Sequence, residues 1–164
     1  MMVQVARLQL ASVIAVLALL STGCGPLPQE TPRSAPAFSL NTLDGRAIRL
    51  SDLKGSAVAL NFWASWCPAC ATNSPNLQAI HERYAGDGLV VLGVAADDSE
   101  EALAEKARDL GITYPIAVSE ATADAYGVRA IPITFFIDKQ GMIVSTVLGA
   151  ASFKDLEAEV KKLL

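Results

Sequence analysis

The chain has 164 residues, 52% hydrophobic and 18% charged, a composition of neither a collagen nor a wholly disordered protein. Basic residues number 13 against 17 acidic, a net charge of −4, and no long basic run marks a nucleic-acid groove. Three cysteines are too few for a disulfide-stapled scaffold, and a single histidine excludes a histidine-rich metal centre; the length points to one domain.

Residues 1–23 read as a secretory leader: Arg7, then the apolar run LASVIAVLALL, then the small residues STG. The apolar run is short for about 30 Å of hydrocarbon, so secretion is favoured over an uncleaved anchor. Cys24 ends the leader. Residues 24–35 form a proline-rich tether that propagates neither helix nor ladder, and residues 36–164 form the domain.

The folded part is expected to begin near Phe38. FSLNTLDGRAIRL reads as two short strands around Asp44-Gly45, a hairpin signal. One helical turn at Ser51–Leu53 closes at Gly55. The apolar run 56–64 reads as a strand covered on both faces. A helix follows from Cys67 or Pro68 to about Tyr84, with Pro68 in its first turn and Pro75 kinking it. Its Leu77, Ile80 and Tyr84 face the sheet, and His81 faces solvent. Residues 89–96 are a second buried strand. Asp98 with Glu101 suggests a capping box for a helix through Leu110, and the acids around it suggest a solvated helix start. A short strand in TYPIAVS, a short helix at 120–126, strands at 133–138 and 142–148, and a helix capped by Ser152 and Asp155 complete the chain. The order implies a central mixed sheet flanked by helices, with parallel crossovers and an antiparallel edge.

The sharpest chemical signal is Trp63-Ala64-Ser65-Trp66-Cys67-Pro68-Ala69-Cys70. A cysteine just before a helix sits where unpaired N–H groups and the helix dipole favour its thiolate. A second cysteine in the first turn is more covered and can resolve a mixed disulfide by internal attack. Half a zinc site would need ligands that this chain lacks, so no metal and no cofactor are expected. A purely structural disulfide is the bland alternative. A second signal is Ile131-Pro132 before the strand at 133–138, since proline there forfeits a ladder donor. A cis bond, with the Ile131 N–H and C=O presented to a bound chain, and an ordinary trans proline both fit the residues.

NFWASWCPAC resembles the active-site segment of the thioredoxin superfamily, most closely its TlpA/ResA-type extracytoplasmic thiol-disulfide oxidoreductases. The approach to that segment from Pro36, and AYGVRAIPITFFIDKQGMIV, resemble the same branch. The resemblance implies a thioredoxin-like α/β fold with an N-terminal hairpin and a central strand-helix insertion over 89–120. It implies Cys67 as nucleophile, Cys70 as resolving thiol, Trp66 packing against substrate beside Pro68, and Pro132 in cis, shaping the groove with Ile131. The family's two acidic positions near the resolving cysteine are Asn61 and Asn73 here, a possible proton-transfer pocket without a carboxylate and an expectation of slow resolution. Trp63 is expected to be partly exposed near the site.

LLSTGC is similar to a lipoprotein signal with Ser21 in place of the preferred leucine, which makes Cys24 a candidate for lipidation; ordinary cleavage is the alternative. The implied place is the bacterial cell envelope, lipid-anchored and periplasm-facing or soluble in the periplasm. The implied partners are envelope proteins with disulfides, as in cytochrome c maturation, and a membrane thiol donor of DsbD/CcdA type. Reduction is the favoured direction and a monomer the default. The rivals are a thiol peroxidase of peroxiredoxin type, disfavoured by Ala64 and the paired cysteines, and a tethered non-enzymatic binding module.

Overall fold

A computed structural model describes residues 32–164. The leader, Cys24 and nearly all of the tether lie outside the described residues. The elements are β1 (Arg33–Ser34), β2 (Ser39–Asn41), β3 (Ala47–Arg49), β4 (Ala57–Phe62), α1 (Pro68–Tyr84), β5 (Leu89–Ala95), α2 (Glu100–Asp109), β6 (Ile116–Val118), α3 (Glu120–Ala125), β7 (Ile133–Ile137), β8 (Met142–Leu148) and α4 (Phe153–Val160). A 3₁₀ turn at Leu50–Leu53 matches the turn expected before Gly55.

Six strands form one sheet in the order β1-β8-β7-β4-β5-β6. β4, β5 and β6 run parallel, while β7, β8 and β1 each pair antiparallel with their neighbour. This is the mixed α/β sheet the element order implied. All six residues of β4 are buried. Its two faces carry different sizes. Val58, Leu60 and Phe62 pack with the hairpin strand β2, α3 and Tyr126. Ala57 and Ala59 face the other layer, where Leu77 and Ile80 of α1, Leu103 of α2 and Leu156 and Val160 of α4 pack. Small side chains on that face let the helices approach closely, and burying each large aliphatic there contributes about 1.5–3 kcal/mol.

The β2–β3 hairpin turns at Gly45, whose φ of +82° lies in the left-handed region that glycine enters without strain. The hairpin also covers the β6 edge. Thr42 bridges Ala117, and the Leu43 N–H donates to Ile116 O at 2.8 Å. The opposite edge carries β1, where Arg33 pairs with Ile143. The sheet therefore takes in two residues that the sequence reading placed in the tether.

Three local expectations are corrected. The α2 cap is Ser99, whose side chain accepts the Ala102 N–H at 3.1 Å; Asp98 is drawn away to another partner. His81 is half-buried and not fully solvent-facing. Its ring lies edge-on to Tyr114 at 6.1 Å, its Nδ1 is buried without a partner, and burial lowers its pKa. Trp63 is 1% exposed and belongs to the core, its indole lying against Gly93.

Candidate active site

β4 stops at Phe62 and delivers the chain to α1 across five residues. The Trp63 N–H still reaches Val94 O at 3.0 Å, so the segment leaves the sheet under control. Cys67 is the N-cap of α1, with extended φ and ψ of −92° and 111°, and Pro68 begins the helix. Proline suits that place because its missing N–H would have had no partner. The Cys70 N–H donates to Cys67 Sγ at 3.1 Å. Cysteine thus takes the place of a serine or aspartate cap, and a donor at the positive end of the helix points at its sulfur. A thiolate at Cys67 is the state such a setting favours.

Cys67 and Cys70 are joined by a disulfide, with Cα atoms 5.2 Å apart. Their exposures are unequal, 5% for Cys67 and none for Cys70, which leaves the first sulfur as the one a partner can reach. Cys67 opens onto a hollow of about 350 Å³. Trp66 is 65% exposed beside it, and its Nε1–H donates to Asp97 O at 3.3 Å.

Across the sheet end, the Ile131–Pro132 peptide is cis, Pro132 is buried, and β7 begins one residue later. No hydrogen bond among the described residues uses the N–H or C=O of Ile131. Ile131 and Trp66 both line an apolar cleft of about 80 Å³.

The two asparagines are buried, and each is engaged through one end of its amide. Asn61 donates through Nδ2 to Thr134 Oγ1 at 3.0 Å and to Ile133 O at 3.3 Å. Asn73 accepts the Ala151 N–H at 3.1 Å, and Asn76 donates to Ala151 O at 2.8 Å, so α1 holds both backbone groups of that residue. The Asn61 Oδ1 and Asn73 Nδ2 atoms remain buried and unpartnered.

Sequence reasoning missed Asp98. Its carboxylate accepts the Ser65 N–H at 2.6 Å, the Ser65 hydroxyl at 3.0 Å and the Ser99 N–H at 2.9 Å. The loop after β5 therefore fixes both residues that precede Cys67, through Asp98 on Ser65 and the Asp97 carbonyl on Trp66. The one local signal of Asp98, an acid three residues before Glu101, pointed to a helix cap, a place that Ser99 takes instead.

A dithiol-disulfide pair capping the first helix after a central strand, opposite a cis proline, defines a thioredoxin-like redox protein. The comparisons agree. The AhpC/TSA family matches residues 31–146. The thiol-disulfide oxidoreductase ResA of Bacillus thuringiensis is 32% identical over 133 residues, 80% of this chain and 77% of that one. The structure of a thioredoxin-family thiol:disulfide interchange protein from Chlorobium tepidum superposes with a TM-score of 0.76 at 28% identity, covering 83% of this chain and 99% of that one. The exposed lipoprotein thioredoxin of Streptococcus pneumoniae gives 0.67 at 35% identity, covering 77% and 99%. The chain belongs to the AhpC/TSA family and, within the thioredoxin superfamily, to the ResA-type thiol-disulfide oxidoreductases.

Proposed function

We propose that the protein reduces disulfides of cell-envelope proteins through a Cys67–Cys70 dithiol cycle, with cytochrome c maturation a candidate setting. The observation that carries this reading is the inequality of the two sulfurs. Cys67 receives the Cys70 N–H and opens onto a hollow, while Cys70 is fully buried behind it. In the reduced protein the Cys67 thiolate attacks one sulfur of the substrate disulfide and the other sulfur leaves as a thiolate. Cys70 then attacks Cys67, the mixed bond breaks, and the second substrate sulfur leaves. Two electrons pass to the substrate, with one proton from Cys70 and one from solvent, and the disulfide seen here is the product state. A membrane thiol donor of DsbD/CcdA type restores the dithiol.

Trp66 offers an exposed aromatic face to the substrate, and Pro68 starts the helix without an unpaired donor. The free N–H and C=O of Ile131, held beside Pro132, suit pairing with an extended substrate segment. No hydrogen bond among the described residues joins a carboxylate to Cys70, and Asn61 and Asn73 each keep one amide atom unpartnered, Oδ1 and Nδ2. Among the described residues no helix is long and apolar enough to cross a membrane. The reading of Cys24 as a lipidated residue, on the outer side of a bacterial membrane, draws support from the likeness to a pneumococcal exposed lipoprotein.

The test is the equilibrium reduction potential of the pair, poised in dithiothreitol or glutathione buffers and read by mass spectrometry. A value below roughly −230 mV is expected; a value near −120 mV reverses the direction and makes the protein an oxidant. Peroxide consumption by the purified protein would instead favour a peroxidase. The paired cysteines and the aliphatic Ala64, three residues before Cys67, disfavour that chemistry.

A further inference from the structure

Trp66 lines two different hollows. One is the apolar cleft shared with Ile131, and its only charged wall residue is Asp97. The other is the 350 Å³ hollow over Cys67, walled by Ser65, Trp66, Cys67, Pro68, Ala71 and Lys106. Among the described residues that wall the second hollow, Lys106 is the one charge. It comes from α2, far from the active-site motif in sequence and half-buried. None of the ion pairs among the described residues includes it, and its ammonium makes no hydrogen bond there. The nearby Asp98 carboxylate is taken up by Ser65 and Ser99.

An unpaired ammonium on the wall of the hollow that Cys67 opens onto has a chemical consequence. The chain as a whole carries a charge of −4, which opposes an acidic partner at long range. A local cation removes that opposition at one place only. Asp97 lines the cleft on the other side of Trp66, so the two hollows are lined by charges of opposite sign. We infer that Lys106 is a substrate-binding residue, whose ammonium receives a carboxylate flanking the cysteine that Cys67 attacks. The inference rests on the reading of Cys67 as the attacking sulfur. Cys67 and the substrate sulfur exchange bonds as described above, and Lys106 takes no proton or electron in that step.

The experiment follows the reaction of the reduced protein with three small disulfides: an aromatic disulfide bearing two carboxylates, a neutral dipyridyl disulfide and cationic cystamine. The Lys106→Glu variant is expected to lower the dicarboxylate rate by about fivefold relative to the neutral one and to raise the cystamine rate. Lys106→Arg keeps the wild-type ratios, and the shift shrinks as salt is added. Lys162→Glu makes the same change of net charge at a residue paired with Glu159, and leaves the ratios unmoved. Ratios unchanged in Lys106→Glu, or shifted equally by Lys162→Glu, overturn the inference. So does a common change in all three rates, which would make Lys106 a support of the thiolate and not a contact of the substrate. Failure of the wild-type protein to react even with the neutral disulfide would remove the reading of Cys67 itself.

Discussion

Gly93 shows how closely single atoms behind the dithiol are set. It lies in β5 opposite Asn61, and a Cβ there would stand 2.8 Å from Ile116 Cγ2, 2.9 Å from Trp63 Nε1 and 3.2 Å from Tyr114 Cε2. All three neighbours are buried, and two are rings with no flexible end to swing aside. Gly93→Ala therefore costs about 1–3 kcal/mol by overpacking. Urea midpoints of the oxidised protein measure this, and an unchanged midpoint would mean that the Trp63 indole can yield. At this scale, Pro132 is legible as cis only through the family resemblance, while Cys67 and Cys70 are legible in the residues themselves because each works through its own backbone position: a helix cap, a first turn. Asp98 and Lys106 are not, because each reaches the site only through the packing of the loop and helix after β5. Trp63 misleads for the same reason. Its place beside Trp66 suggests a rim residue, but the last step of the strand turns it inward.

Helices α1 and α4 are joined by one carboxylate. Glu157 accepts the Tyr84 hydroxyl at 2.7 Å, Lys161 Nζ lies at 2.9 Å and Arg83 Nε at 3.4 Å. Lys161 first, and the Tyr84 hydroxyl next, hold the Glu157 pKa below the ordinary carboxylate value, and Glu157 in turn raises that of Tyr84. A carboxyl whose folded pKa is depressed stabilises the fold above its unfolded pKa and loses that contribution as pH falls through the folded value. A phenol whose folded pKa is raised contributes below its unfolded pKa and loses that contribution as pH rises through the folded one. Glu157→Gln removes the first dependence and weakens the second, which burial of the phenol also feeds. Between about pH 7 and pH 3 the wild type should lose more urea resistance than this variant, and parallel losses would show that the cluster adds nothing to stability. The elements themselves were mostly legible: β4 and β5 as unbroken apolar runs, α1 and α4 from their caps and periodic apolar faces. β1 was not, since two residues, Arg33 and Ser34, carry no periodicity, and only the open edge of β8 gives them a partner.

In the whole molecule the hairpin and β1 close the two edges of the sheet, and the redox pair sits at the C-terminal end of its central strand, where α1 begins. A dithiol held in such a frame ties redox chemistry to folding by a closed cycle. If the fold makes the pair more reducing than the same pair in the unfolded chain, it must favour the disulfide, and the oxidised protein is then the more stable form by about 1.4 kcal/mol for each 30 mV. The structure gives that preference a source. In the oxidised state both sulfurs are buried and neither carries a charge or a proton. Reduction leaves a charge to be carried at Cys67, which is 5% exposed, and a Cys70 thiol shut away from water. Urea unfolding of the oxidised and the dithiothreitol-reduced protein should place the oxidised midpoint higher. A higher midpoint for the reduced form would mean that the fold stores oxidising power, and electrons would then flow from substrate to protein.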